Sequence, residues 1–261
     1  MLITSKENPA VKLFIKLKEQ KKARAELGLF VIEGIRICTD ALNENVKIAS
    51  VLYTEQAYEK YSETVSKLCE KAYDGALCIS EEIATKLSDT KTPQGVFCIL
   101  ETLDKKTSNG KIDKIGKYLI LNNLQDPGNV GTILRVADAV GLNGVFLCNC
   151  CDIYNPKTVR STMGSLFRMP ICTNMSYSEV ITAFKELSVP TYASVIDTDA
   201  LNLRSVDFGE SCAVVIGNEG NGLSFEDANA CDFKLTIRMH GNINSLNAAA
   251  AAGIIMWEMT K

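Results

Sequence analysis

A single histidine, no apolar run long enough to cross a bilayer and no glycine motif for phosphates set the first limits on this chain of 261 residues. The lone imidazole, His240, sits in a Gly-bearing turn with no acid placed to orient it, so it is not counted as a catalytic base. The pattern GxxxxGK[ST] occurs nowhere, and the glycines at 217–222 follow GxxGxG rather than the dinucleotide order GxGxxG. Nucleotide hydrolysis and nicotinamide chemistry therefore lack their usual fingerprints. The apolar run 248–257 is too short for a membrane span, and MLITSKENPAVK has no apolar segment behind a basic start. The expectation is a soluble, cytoplasmic protein with no membrane partner.

Net positive charge is also missing: the formal charge is −3. A coat of basic residues is excluded, but the distribution is uneven. Residues 1–25 carry Lys6, Lys12, Lys16, Lys18, Lys21, Lys22 and Arg24 against only Glu7 and Glu19. Such a stripe is either a solvated helix face or a surface for phosphates. Ten cysteines do not signal disulfides in a chain this long and this rich in core residues. Cys148 and Cys151 have CxxC spacing, yet no second Cys or His pair completes a four-ligand zinc site, so no metal is expected.

What is present reads as two α/β segments. Residues 1–103 alternate helix and strand signals: a basic amphipathic helix over 11–26, strands at LFVIEG, KIASVLYT, GALCIS and GVFCILE, and helices at IRICTDALNE and over 57–72. Residues 104–116 are polar and turn-rich and form the linker candidate. From 117 to 261, continuous apolar strands alternate with helices, the pattern of a mainly parallel sheet covered on both faces.

Three stretches in the second segment can carry chemistry. In QDPGNVGTILR, Asn129 is placed to cap the helix that follows. The stripe Val130, Ile133, Leu134, Ala137 is buried, and Arg135 falls on the other face with Gly131 and Asp138. Arg135 could pair with Asp138 three positions on. In VVIGNEGNGLS, a buried strand ends at Gly217, and Glu219 sits at its carboxyl end, where open α/β sheets bind ligands. A plain turn remains the alternative. In IRMHGNINSLNAAAAAGIIMW, Ser245 caps a helix apolar almost all round, whose alanines permit close approach by a neighbouring element or subunit.

Taken together, these stretches resemble the SpoU-type, TrmH-like RNA methyltransferases of the SPOUT class. The first motif matches at Asn122, Asp126, Pro127, Asn129, Gly131 and Arg135. The second matches at Gly217, Glu219 and Gly222, and the third at Ile237, Ser245, Leu246 and Asn247. NPKTVRSTMGSLFRMP and FVIEGIRICTDAL also look like this family, so the resemblance covers nearly the whole chain. One departure is Arg238, where the family usually has Pro.

The resemblance implies an α/β fold with a trefoil-knotted C-terminal domain and a smaller N-terminal substrate-binding domain. It implies a homodimer through the knot region and S-adenosylmethionine as cofactor, held by Gly217, Ile237 and Leu246. The implied reaction is methyl transfer to an RNA ribose 2′-hydroxyl, with Asn129, Arg135, Glu219, Ser245 and Asn247 at the catalytic site. Lys12, Lys16, Lys21, Lys22, Arg24 and Arg160 are the expected RNA contacts. The two-domain layout resembles members that modify 23S ribosomal RNA. Transfer RNA is the alternative substrate, and a non-catalytic RNA-binding protein that kept the fold is the alternative function.

Overall fold

The computed structural model describes residues 2–103 and 112–261; most of the expected linker, 104–111, lies outside the described residues. Packing divides the chain into two units. One comprises Met1–Asp104 with Tyr154–Phe167, the other Lys105–Ile153 with Arg168–Lys261.

The first unit holds a mixed sheet of five strands: β1 (Leu2–Ile3), β2 (Leu29–Glu33), β3 (Ile48–Tyr53), β4 (Ala76–Ile79) and β5 (Val96–Glu101), in the order β1-β4-β3-β5-β2. The strands β1, β4 and β3 run parallel, whereas β5 is antiparallel to both β3 and β2. The expected helix over 11–26 is two helices, α1 (Pro9–Glu19) and α2 (Lys21–Leu27), broken at Gln20, whose backbone is extended. Asn8 caps α1 by accepting the N–H of Ala10 at 2.9 Å, and Pro9 fits the first turn, where no partner is lost. Val11, Phe14 and Leu17 recur on one face and go into the core, where Phe14 meets the edge of Phe97. Each contributes roughly 1.5–3 kcal/mol of burial.

The break is held by Arg24, which corrects the expectation that this residue faces RNA. Arg24 is 3% exposed, and its guanidinium donates to the carbonyls of Leu17 and, at 3.2 Å, Lys18. Those are the carbonyls left without partners at the end of α1. The helical stretch over 57–72 likewise splits at Tyr61, into α4 (Glu55–Lys60) and α5 (Ser62–Lys71). The unit is completed by α3 (Ile35–Asn43), by α6 (Glu81–Leu87) and by α8 (Pro156–Thr162) with its 3-10 turn Ser165–Phe167. Tyr154 ties this returning segment down. Its ring lies against Phe30 and its hydroxyl accepts the N–H of Leu103 at 2.7 Å.

The second unit is built on seven parallel strands: β6 (Gly116–Asn122), β7 (Gly144–Cys148), β8 (Ile171–Cys172), β9 (Thr191–Ser194), β10 (Leu201–Asn202), β11 (Ser211–Ile216) and β12 (Phe233–Thr236). Their order is β10-β12-β9-β11-β6-β7-β8. The chain proceeds from β6 to β8 on one side, then crosses to β9 on the other. That reversal creates a crevice at the carboxyl ends of the central strands. Helices α7 (Pro127–Val140), α9 (Tyr177–Glu186), α10 (Phe225–Ala230) and α11 (Ala248–Met259) complete the unit. Tyr118, Phe146 and Phe184 pack edge to face in its core.

Candidate active site

Helix α7 starts earlier than the sequence suggests. Asp126, not Asn129, is the cap: its carboxylate accepts the N–H of Asn129 at 2.8 Å, and Pro127 opens the helix. This frees the Asn129 side chain. Asn247, not Ser245, likewise caps α11, its Oδ1 accepting from Ala249 at 2.9 Å and Ala250 at 3.2 Å. Both misplacements have one cause, since two good capping residues stand two or three positions apart in each stretch.

The two asparagines and Glu219 form one hydrogen-bonded chain. Asn247 Nδ2 donates to Asn129 Oδ1 at 3.0 Å, and Asn129 Nδ2 donates to Glu219 Oε1 at 3.3 Å. The carboxylate also accepts the backbone N–H of Asp126 at 2.9 Å and of Gln125 at 3.2 Å. The direction of this chain is dictated from both ends. Helix N–H groups require Oδ1 of Asn247 to accept, so its Nδ2 must donate outward. The carboxylate can only accept, so Asn129 must present its Nδ2 there. Neither amide can flip without losing a bond at each side.

Burial pushes the Glu219 carboxyl up, but the N–H donors from Asp126, Gln125 and the Asn129 amide outweigh it and hold the group below its ordinary 4.5. The carboxylate stays charged at neutral pH. Because it is exposed, the chain positions groups more than it stabilises the fold.

The loop carrying Glu219 is shaped by residues that the motif reading passed over. Asn218 and Gly222 exchange both backbone hydrogen bonds, at 3.0 and 2.9 Å. Asn218 Oδ1 accepts from Gly220 and Asn221, and its Nδ2 donates to the Asn123 carbonyl at 2.9 Å. Asparagine's readiness to close such local turns was the available signal. A Cβ on Gly217 would lie 2.4 Å from the carbonyl carbon of Gly222, so glycine alone allows this approach.

A cavity of about 380 Å³ lies at the carboxyl ends of β9 and β11. Gly217, Glu219, Ile237, Ser245 and Leu246 all line it, together with Ile196 and Met239. The structure thus brings together the three expected cofactor residues, with Asn129 bonded to the carboxylate in its wall and Asn247 bonded in turn to Asn129. The size falls within the roughly 300–1,000 Å³ of small-molecule sites. Glycine backbone for polar contact beside Ile237 and Leu246 for an apolar ring is a donor set that fits S-adenosylmethionine. Ser245 is exposed and, among the described residues, has no hydrogen bond.

Arg135 is not in this wall. It is exposed on α7, and its side chain has no ion pair or hydrogen bond among the described residues. The expected partner, Asp138, is taken by Arg168, whose Nε and Nη2 donate at 3.1 and 2.8 Å. Gly131, placed with Arg135 on the open face, is buried. In the first unit, Lys12 pairs with Glu7, and Lys22 with Glu26 at 3.7 Å, while Lys16 and Lys21 are exposed without an ion pair among the described residues. Arg160 binds the Asp89 carboxylate at 3.0 Å, which Lys18 shares at 2.7 Å. Burial pushes the Cys148 and Cys150 thiols up to about 12.

Residues 116–257 match the SpoU rRNA Methylase family, and residues 8–98 match the MRM3-like substrate binding domain. An uncharacterized tRNA/rRNA methyltransferase of Synechocystis is 31% identical over 98% of this chain and 92% of its own length. The 23S rRNA (guanosine-2′-O)-methyltransferase RlmP of Bacillus subtilis is 29% identical over 98% of each chain. An AdoMet-bound rRNA methyltransferase from Sinorhizobium meliloti has a TM-score of 0.85 at 29% identity, covering 99% of this chain and 97% of that one. The SpoU methyltransferase AviRb from Streptomyces viridochromogenes, in complex with AdoMet, has a TM-score of 0.85 at 26% identity, with 97% of each chain covered. With its motifs joined in one site and its family match spanning more than half its length, this chain belongs to the SpoU rRNA methylase family and is an S-adenosylmethionine-dependent RNA methyltransferase.

Proposed function

We propose that the enzyme methylates a ribose 2′-hydroxyl of 23S ribosomal RNA in the cytoplasm. The observation that carries the reading is the hydrogen-bonded chain joining α11 to Glu219 through Asn247 and Asn129, beside a cavity fitted to the cofactor. The named relatives from Bacillus subtilis and Streptomyces viridochromogenes act on 23S rRNA, one at a guanosine and one at a uridine, so the target base is not carried over.

When bound, S-adenosylmethionine supplies a methyl group activated by its sulfonium centre. Gly217, Ile237 and Leu246 hold it, largely by backbone groups. A 2′-hydroxyl is a poor nucleophile and needs orientation or loss of its proton. A guanidinium is a poor proton acceptor, so Arg135 is read as a clamp rather than as the base. It clamps a phosphate and stabilises the developing alkoxide. Glu219 is saturated with N–H donors and holds the loop. Ser245 offers a hydroxyl toward the cavity.

Arg135 lies outside the cavity wall of its own chain, and in this reading RNA or a second copy brings the two together. A homodimer through a knotted carboxyl-terminal domain is part of the reading. Its support is an apolar stripe on α11, where Ala250, Ile254 and Trp257 are exposed at helical spacing, Trp257 by 63%. Residues 1–103 form the RNA-binding domain, contacting phosphates through Lys12, Lys16, Lys21 and Lys22. Residues 104–116 link it to the methyltransferase domain, 117–261.

The test is incubation with labelled S-adenosylmethionine and separate rRNA and tRNA pools, beside Arg135→Ala. Label in rRNA at a nuclease-resistant 2′-O-methyl link, lost in the variant, is the expected result. Label in tRNA alone would reassign the substrate. Cofactor binding with no label in either pool would point to an assembly intermediate as substrate, and no cofactor binding at all would leave an RNA-binding protein that kept the fold.

A further inference from the structure

Beside the cofactor cavity lies a second concavity, of about 430 Å³, and Ile237 lines both. Three basic residues line it, Arg204, Arg238 and His240, and Ile254 of the α11 stripe forms its edge, so the hollow borders the face read above as the dimer contact. The parallel pairing of β10 with β12, which sets Asn202 opposite Thr236, carries Arg204 and Arg238 to neighbouring positions just past the strand ends. Both arginines and His240 are exposed, and none has an ion pair or side-chain hydrogen bond among the described residues. The one acid in the wall, Glu258, is bound by Lys261, whose Nζ lies 2.7 and 2.8 Å from its two oxygens.

Unpaired arginines converging on one hollow stand out in a chain of net charge −3. Like charges gathered without counter-charge repel, and an anion in the hollow relieves that repulsion. We propose that this hollow holds a backbone phosphate of the substrate RNA, next to the nucleotide presented to the cofactor cavity. The assignment rests on RNA being the substrate. Arginine suits it, since its planar donor fork matches phosphate oxygens two at a time.

The test uses the full chain, wild type and Arg204→Ala/Arg238→Ala. RNA affinity is measured across a salt series, cofactor affinity by calorimetry, and mass by sedimentation. The double variant should bind rRNA about tenfold more weakly, with the slope of log affinity against log salt reduced by about one. Its cofactor affinity should be unchanged, and a Lys/Lys variant should keep the slope. Unchanged RNA affinity and slope in the Ala variant would overturn the assignment. A shift in mass with unchanged RNA binding would also overturn it, marking the hollow as an interface between copies. If wild type itself binds no RNA, the substrate reading fails and the assignment falls with it.

Discussion

The two units of this molecule spend their polar side chains differently. In the first, several charges pair with one another: Lys18 and Arg160 share Asp89, Lys6 meets Glu82, Lys12 meets Glu7, and buried Arg24 closes the end of α1, while Lys16 and Lys21 stay exposed. In the second, the side chains at the ends of β6 and β11 bind loop and helix backbone instead. Glu219 gathers two backbone N–H groups, Asn247 caps α11, and Asn218 folds the glycine loop. Arg135, Ser245, Arg204 and Arg238 are then left without side-chain partners among the described residues. Exposed ion pairs add little to stability, whereas polar groups that order backbone shape the site in the second unit and leave cations over for a substrate.

The largest expected effect comes from Gly217→Ala. The added methyl would drive into the backbone of Gly222, which cannot swing aside as a side chain can. Overpacking of this kind costs roughly 1–3 kcal/mol or more. Cofactor binding measured by calorimetry should be lost, while the first unit's fold, followed by hydrogen exchange, survives.

Arg24→Ala makes the converse break. It strips donors from the buried end of α1 and should lower stability by about 1–3 kcal/mol in denaturant melts, leaving cofactor affinity intact. A loss of cofactor affinity there would blur the distinction between the units.

Glu219→Gln is a smaller change in shape but reverses polarity. Each carboxylate oxygen receives a backbone N–H, so a Gln amide must set an N–H₂ against one of them in either orientation. Methyl transfer should fall about tenfold. The wild-type carboxyl is held below 4.5, so its contribution is complete above that value and is lost as pH falls through the lower folded value. Thermal melts should show this acid-side loss in wild type and lack it in the Gln variant. Least affected should be Lys22→Ala, which removes an exposed pair with Glu26 at 3.7 Å and should change stability by less than about 0.5 kcal/mol.

These contrasts also explain what could be read from the chain alone. The strands with unbroken apolar runs, such as Tyr118–Leu121 and Cys212–Ile216, declare themselves, and so do helices α7 and α11. Two-residue strands such as β1 and β10 carry no periodicity to detect. The break at Gln20 was hidden because it depends on Arg24 turning back, a tertiary event in a locally helical sequence. Residues 154–167 follow β7 in sequence, yet they pack in the first unit through Tyr154. At the site, residue types and spacing were legible for Asn129, Glu219 and Asn247. Their hydrogen-bond order was not, because it required knowing which residue caps each helix.

The most direct test of that order is Asn129→Asp, assayed for methyl transfer to 23S rRNA at saturating cofactor, with folding checked by melting. The side chain keeps its shape but replaces the donor facing Glu219 with a second carboxylate. The chain of Asn247, Asn129 and Glu219 predicts a fall of more than about tenfold in turnover with little loss of stability. Turnover within about twofold of wild type would contradict it.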